Sequence, residues 1–434
     1  MTRRLVFLFL LGVAACTEQT TAPGTCPNFC PTDSIALRDT IFTAIIERDS
    51  SFRGYIPSYA AEAMTAADLP GIVDSRAFFT TDTMIRRVTP TVGDTTTAPI
   101  SVDSSRVRFV IVRRPKNTTN LRLRLYRIPV TADSTSTFAD LDPSFTAAPV
   151  DSLNVTDLLA LPALGDTQTV RLWGDSIRVD TAGHVLQISR LDSTIAVFFK
   201  LDSLQALLSD ADTGRLGWGV RVAADSFASI ALGTRESGGG TPLMRWFYHY
   251  TIPDTVSATP DSVVYTDRTV ATRFDNFVFT PPTLPLDSNL AVGGTPAARA
   301  LLRVAMPAFL HDSIDVVRAT LILVPVSAVQ GTPSDSFTVQ VHAVLTDLGA
   351  KSPLSTALSG FTFIHLGSPD TVNIEITNLV RAWSKDTTLT TAFVLGQVPE
   401  ASSYTEARFY SSRAPALRPA LHVTYVKRFR FGEP

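Results

Sequence analysis

Two stretches of this chain echo one another, and that internal repeat limits the fold more than any other feature. Residues 197–208 read VFFKLDSLQALL and residues 372–383 read VNIEITNLVRAW. In register, Val197 meets Val372, Leu201 meets Ile376, Leu204 meets Leu379 and Leu208 meets Trp383. Each begins as a strand, and Asp202-Ser203 or Thr377-Asn378 then opens a helical turn or two in the manner of an N-cap. The flanks match as well. LGWGVRV (216–222) pairs with TAFVLGQ (391–397), and PLMRWFYHY (242–250) with PALHVTY (419–425). Upstream, DSSRVRFVIVRR (103–114) matches DVVRATLILVPV (315–326), and TNLRLRLYRIP (119–129) matches DSFTVQVHAV (335–344). A duplication of this depth implies two homologous domains, with an insertion around 131–180 in the first copy. The expected boundaries are 34–252 and 253–427, with the joint in IPDTVSATPDS and a short tail over 428–434.

Within each copy the apolar runs are short, alternate or stay apolar for a few residues, and are punctuated by Gly, Pro, Asp and Asn. No amphipathic helix of ten or more residues separates them, so a parallel α/β fold is not expected. The expectation is an all-β chain of two tandem antiparallel β-sandwiches, jelly-roll-like, with very short helical turns. Ser, Thr, Val and Leu dominate while Lys and Glu are scarce, which favours strands. The net charge of −2 gives no field that would draw nucleic acid or an anionic membrane surface.

The amino terminus carries a different signal. Arg3 and Arg4 precede an apolar run, Leu5 to Val13, that is too short to span a bilayer. Ala14 and Ala15 are small residues of the kind that precede a signal-peptidase cut. Val13-Ala14-Ala15-Cys16 resembles the lipobox of bacterial lipoproteins. That resemblance implies a signal peptide over 1–15 and a diacylglycerol thioether on Cys16. The chain would then be a membrane-anchored protein of the cell envelope, and Thr17 in place of Asp leans toward the outer membrane. Several buried acyl chains anchor stably where one would not. Residues 16–33, rich in Thr and Pro, read as a tether. Cys26 and Cys30, the remaining cysteines, suit a small disulfide loop in an oxidising compartment; free thiols or half a metal site are the other readings.

The second copy also resembles the DNRLRE-type β-sandwich domain of secreted bacterial proteins. The likeness runs through ARALLRVAMPAF (298–309), VVRATLILVPV, VNIEITNLVRAW and ARFYSSRAPALRPALHVTY (407–425). It covers residues 290–426 well and 75–250 weakly. Some members of that family bind alginate, so the resemblance implies a carbohydrate-binding module.

The residues themselves offer little catalysis. No Gly-x-Ser-x-Gly elbow, HExxH or paired-cysteine motif appears. RESGGG (235–240) lacks the following helix of a phosphate loop. SDADTG (209–214) begins like a calcium loop but lacks its closing Glu, and its counterpart SKDTTL puts Lys385 where Asp210 stands. Of the six histidines, His184, His249, His311, His342, His365 and His422, five fall in expected strands and read as sheet residues. The chain is therefore expected not to be an enzyme and to need no cofactor. The most suggestive pattern is basic. In LRLRLYR (121–127) the three leucines face one way and Arg122, Arg124 and Tyr126 the other. Arg106 and Arg108 are expected beside them, on the preceding strand of a hairpin closed by PKNTTN. Arginines interleaved with an aromatic suit a carboxylated polysaccharide, by forked hydrogen bonds and ring stacking. Tyr404, Arg413 and Arg418 are lesser candidates. A polysaccharide or another envelope protein is the expected partner.

Overall fold

The computed structural model describes residues 37–428 apart from 91–96, 114–118, 157–167, 173–174, 180–187, 192–193, 202–213, 226–227, 238–239, 253–260, 282–286, 330–335 and 402. The proposed signal peptide, Cys16, Cys26, Cys30 and the tether lie outside these residues, as do His184 and most of SDADTG. The fold is all-β and antiparallel, with three short α-helices among the described residues.

Each repeat builds two facing layers. In the first unit, strand Ala98–Arg113 is flanked by Thr194–Leu201 and by Leu243–Ile252. Facing it, Gly217–Ala223 lies between Val73–Thr81 and Arg122–Ile128. Alternation along these strands sends Val107, Phe109, Leu123, Leu125, Val220 and Trp218 into one buried core. The second unit repeats the plan. Ile314–Leu323 is flanked by Val372–Glu375 and Ala420–Lys427, and Ala392–Gln397 lies between Ala298–Val304 and Ser336–Val344. The strands of the two units are thus paired on one plan.

The helical turn expected after VNIEI forms as helix Thr377–Lys385. It buries Leu379, Val380 and Trp383, and Trp383 stacks on Phe393 with centroids 6.3 Å apart. Its counterpart in the first copy, 202–208, lies outside the described residues. Strand Leu354–His365 passes so close to Val372–Glu375 that a Cβ at Gly360 would collide with the Glu375 carbonyl oxygen. Backbone cannot yield as a flexible side chain can. Gly360→Ala is therefore expected to lower the urea midpoint by the equivalent of about 2 kcal/mol; an unchanged midpoint would show that the strand shifts freely.

Strand pairing crosses the boundary expected at 252/253. Ser262–Val270 continues from Leu243–Ile252 as its antiparallel neighbour, and Thr272–Phe279 pairs with Val73–Thr81. Residues 262–279 therefore complete the first unit. Conversely Arg38–Phe42 pairs with Ala420–Lys427, and Ile46–Arg53 with Ala298–Val304, so residues 38–53 complete the second. The two arms occupy equivalent places. One strand of each borders the last strand of a unit, and the other borders a strand of the facing layer. Asp49 lies opposite Leu302, as Asp275 lies opposite Phe79. Both carboxylates are buried, and both accept a backbone N–H from a loop distant in sequence, Asp49 from Ser412 and Asp275 from Arg235.

Burial pushes the Asp275 carboxyl up to about 6, and the nearby Glu236 adds to the rise. A raised carboxyl pKa gives stability that is complete below the unfolded value near 4 and is lost as pH climbs through about 6. Asp275→Asn is thus expected to be neutral at pH 4 and to stabilise by on the order of 1–2 kcal/mol at pH 7.5. Melting curves at the two pH values check this, and an equal shift at both would refute it.

Candidate functional site

Strand Arg122–Ile128 alternates as the sequence implies. Leu121, Leu123 and Leu125 are buried in the core, while Arg122 and Arg124 stand on the outer face. Tyr126 also points outward but is covered. Helix Phe138–Thr146, from the insertion of the first copy, lies over it and packs Phe145 5.4 Å from the tyrosine ring. Thr137 and Asp140 cap that helix reciprocally. Tyr126 and Phe145, with Phe78, Ile128 and Leu141, form a second apolar cluster on the outside of the sheet. Tyr126 is only 3% exposed, so the expected stacking platform for a sugar ring is corrected to a core residue.

Glycine at 219 admits the helix, because a Cβ there would enter the Phe145 ring. Gly219→Ala is expected to cost about 1–3 kcal/mol by overpacking. Phe145→Leu in the same chain should recover part of that loss in urea unfolding, and no recovery would place the strain elsewhere.

Beside the helix, the outer face is rich in guanidinium groups. Arg221 lies directly opposite Arg124, which lies opposite Ser152. Arg221 donates to Asp74 at 3.1 Å. Arg76, 3% exposed, donates to both oxygens of Asp74, at 3.2 and 2.8 Å, and to Asp142 of the helix at 2.7 Å. The Arg76 guanidinium also lies 4.2 Å from the Phe138 ring. Arg122 donates to Asn120 at 3.2 Å. Four arginines thus share one face with two bridging carboxylates, Asp74 and Asp142. Arg76 and Arg221 went unrecognised in the sequence, although the outward alternation of Arg221 within GWGVRV was a usable signal.

Arg106 and Arg108 stand elsewhere. Strand Ala98–Arg113 does not pair with Arg122–Ile128, and its Val107 and Phe109 face the core from the opposite layer. The expected hairpin and the five-residue site are therefore corrected to two pairs of arginines on opposite outer faces. Arg106 lies between Lys200 and Arg245 in register, and the guanidinium groups of Arg106 and Arg245 approach the Phe247 ring at 5.4 and 5.8 Å. Arg245 pairs with Asp267 at 2.7 Å. Arg108 donates to the Thr241 carbonyl at 3.0 Å, and burial pulls its pKa down.

The other candidates are scattered. His249, His342, His365 and His422 sit on strands, and His311 sits on the short helix Phe309–Asp312. His249 meets Asp103 at 2.8 Å, and His422 meets Asp39 at 3.3 Å. Arg418 donates to the Pro415 carbonyl at 3.2 Å within its own turn. Among the described residues no three His, Cys, Asp or Glu side chains converge as metal ligands. A cleft of about 180 Å³, lined by Ile56, Pro57, Phe277, Phe279 and Thr295, opens where the two arms end. No described helix is long and apolar enough to cross a membrane, which says nothing of strands. No family model, curated protein or solved structure matches the chain.

Proposed function

We propose that this chain is a lipid-anchored cell-envelope protein, held by Cys16, whose sandwiches form a non-catalytic module binding acidic polysaccharide. The supporting observation is the arginine-rich outer face of the first unit. Arg76 and Arg221 are engaged by Asp74 and Asp142, which fixes the sheet surface on which Arg124 and Arg122 stand. A pre-positioned guanidinium loses little side-chain entropy when it forks onto a sugar carboxylate. The lipobox and the likeness to alginate-binding sandwiches point the same way, and Arg106 and Arg108 drop out of the site.

Affinity electrophoresis through gels containing alginate, pectin or a neutral glucan tests this reading. Retardation by the acidic polymers is expected, falling at least about ten-fold in affinity in Arg122→Ala/Arg124→Ala. Arg106→Ala is expected to leave it unchanged. Equal mobility in all gels would exclude the polysaccharide reading. A second reading, a scaffold that docks envelope proteins, rests on Phe361 and Phe363. These residues are 60% and 58% exposed side by side on strand Leu354–His365. Crosslinking in intact envelopes that captures a discrete partner, lost in Phe361→Ser/Phe363→Ser, would favour it.

A further inference from the structure

The two arms have exchanged places. Each repeat begins with an arm, 38–53 or 262–279, followed by its own strands, yet each arm completes the other repeat's sandwich. This is the arrangement of two subunits that swap arms, here joined in one chain.

We propose that the second unit contains a strand-acceptor site whose ligand, residues 38–53, can be supplied by a second copy of this chain as well as by its own. The recognition chemistry is specific. The acceptor offers the borders of Ala420–Lys427 and Ala298–Val304 for antiparallel pairing. It buries Ile45 and Ile46, reads Asp49 through the Ser412 N–H, and takes Arg53 by a two-pronged contact to Glu406. Its ligand is therefore an extended peptide with paired aliphatic residues, a carboxylate three positions on and a guanidinium four beyond that.

The second arm is bound differently in one respect. It is the sequence neighbour of the strand it pairs with, Leu243–Ile252. The first arm is covalently continuous with the first unit but hydrogen-bonds the second, hundreds of positions away in sequence. Only the stretch from Gly54 to Ser58, bordering the cleft, changes course when the arm enters another molecule. Gly54 has φ +68, a conformation glycine adopts without penalty. Every other contact is the same in the closed and exchanged forms, so concentration and this hinge alone set the balance.

The test uses the whole chain. Two differently tagged copies are incubated together at high concentration below the melting temperature and then captured through one tag. Mixed dimers that grow with concentration are expected. In a second form, a protease site replaces Ser58–Ala60 and is cut after folding. The cut arm should stay bound through gel filtration and be displaced by labelled peptide 34–56. The same peptide carrying Asp49→Ala and Arg53→Ala should compete roughly ten-fold less well or worse. Copies that never mix, or an arm that departs on cutting while the rest stays folded, would overturn the proposal. If the inserted site prevents folding, the mixing experiment with the natural sequence decides alone.

Discussion

Deleting residues 34–53 is expected to unfold the second unit while leaving the first with its own transition. The deletion strips two strand borders at once, those of Ala420–Lys427 and Ala298–Val304. It removes Ile45 and Ile46 from the core, worth about 1.5–3 kcal/mol each. It also leaves the part-buried Glu406 without Arg53 and the Ser412 N–H without Asp49. Lost pairing, apolar burial and stranded polar groups together exceed about 5 kcal/mol, a large share of what a domain of this size has to lose. Calorimetry should show one of two unfolding events gone, with the near-ultraviolet signal of Trp218 and Trp246 retained. A truncated chain melting like the intact one would mean the arm merely lies on the surface. The reverse experiment separates the repeats at 252, which deprives both units of an arm and should leave neither well folded.

The second large effect is expected at Arg76. Its side chain is almost fully enclosed, yet it holds Asp74 and Asp142 and lies over Phe138. Arg76→Met keeps most of the volume but leaves Asp74 with Arg221 as its remaining bridge and releases the helix from the sheet. Breaking a buried pair by removing one partner costs about 3–5 kcal/mol. The lower end applies, because Asp142 is itself 43% exposed and can turn to water. Urea unfolding should show this loss, and Arg76→Met/Asp74→Asn should regain part of it. A double variant less stable than the single one would show that Asp74 matters through Arg221 instead. Polysaccharide binding, if carried by this face, should weaken in parallel as Arg221 and Arg124 lose their fixed surroundings.

Much of this architecture was legible because strands alternate with period two. LRLRLYR showed which residues face inward, and the matched segments of the repeat became equivalent strands. The reading failed wherever the answer depended on which strand lies beside which. The period of two is blind to partners. Arg106 and Arg108 belong to one layer and Arg122 and Arg124 to the other, although a short loop separates their strands. Tyr126 has the pattern of an exposed aromatic, and only the return of the inserted helix over the sheet buries it. Likewise ERDSSF and RFDNFVF each look like ordinary alternating strands. Their shared buried aspartate acquires meaning only when each is seen closing the loop of the other repeat. Arg76 was hidden because its strand Val73–Thr81 is buried on both faces, so charged, hydroxyl and apolar residues mix along it with no alternation to give a facing direction.

The crossed arms also govern the order in which this protein can be finished. Arg38 pairs with Tyr425, so strand Arg38–Phe42 must wait for Ala420–Lys427. While the ribosome delivers the intervening chain, the first unit can assemble around the arm 262–279. Ile45 and Ile46 meanwhile have no place to bury. An unpaired strand with two adjacent aliphatic residues is a target for holding chaperones and a seed for aggregation. Closing a contact across nearly the whole chain is also slow. Docking of the amino-terminal strands is then the final act of maturation, and a molecule truncated anywhere before its last strand advertises its own incompleteness to the cell's quality control.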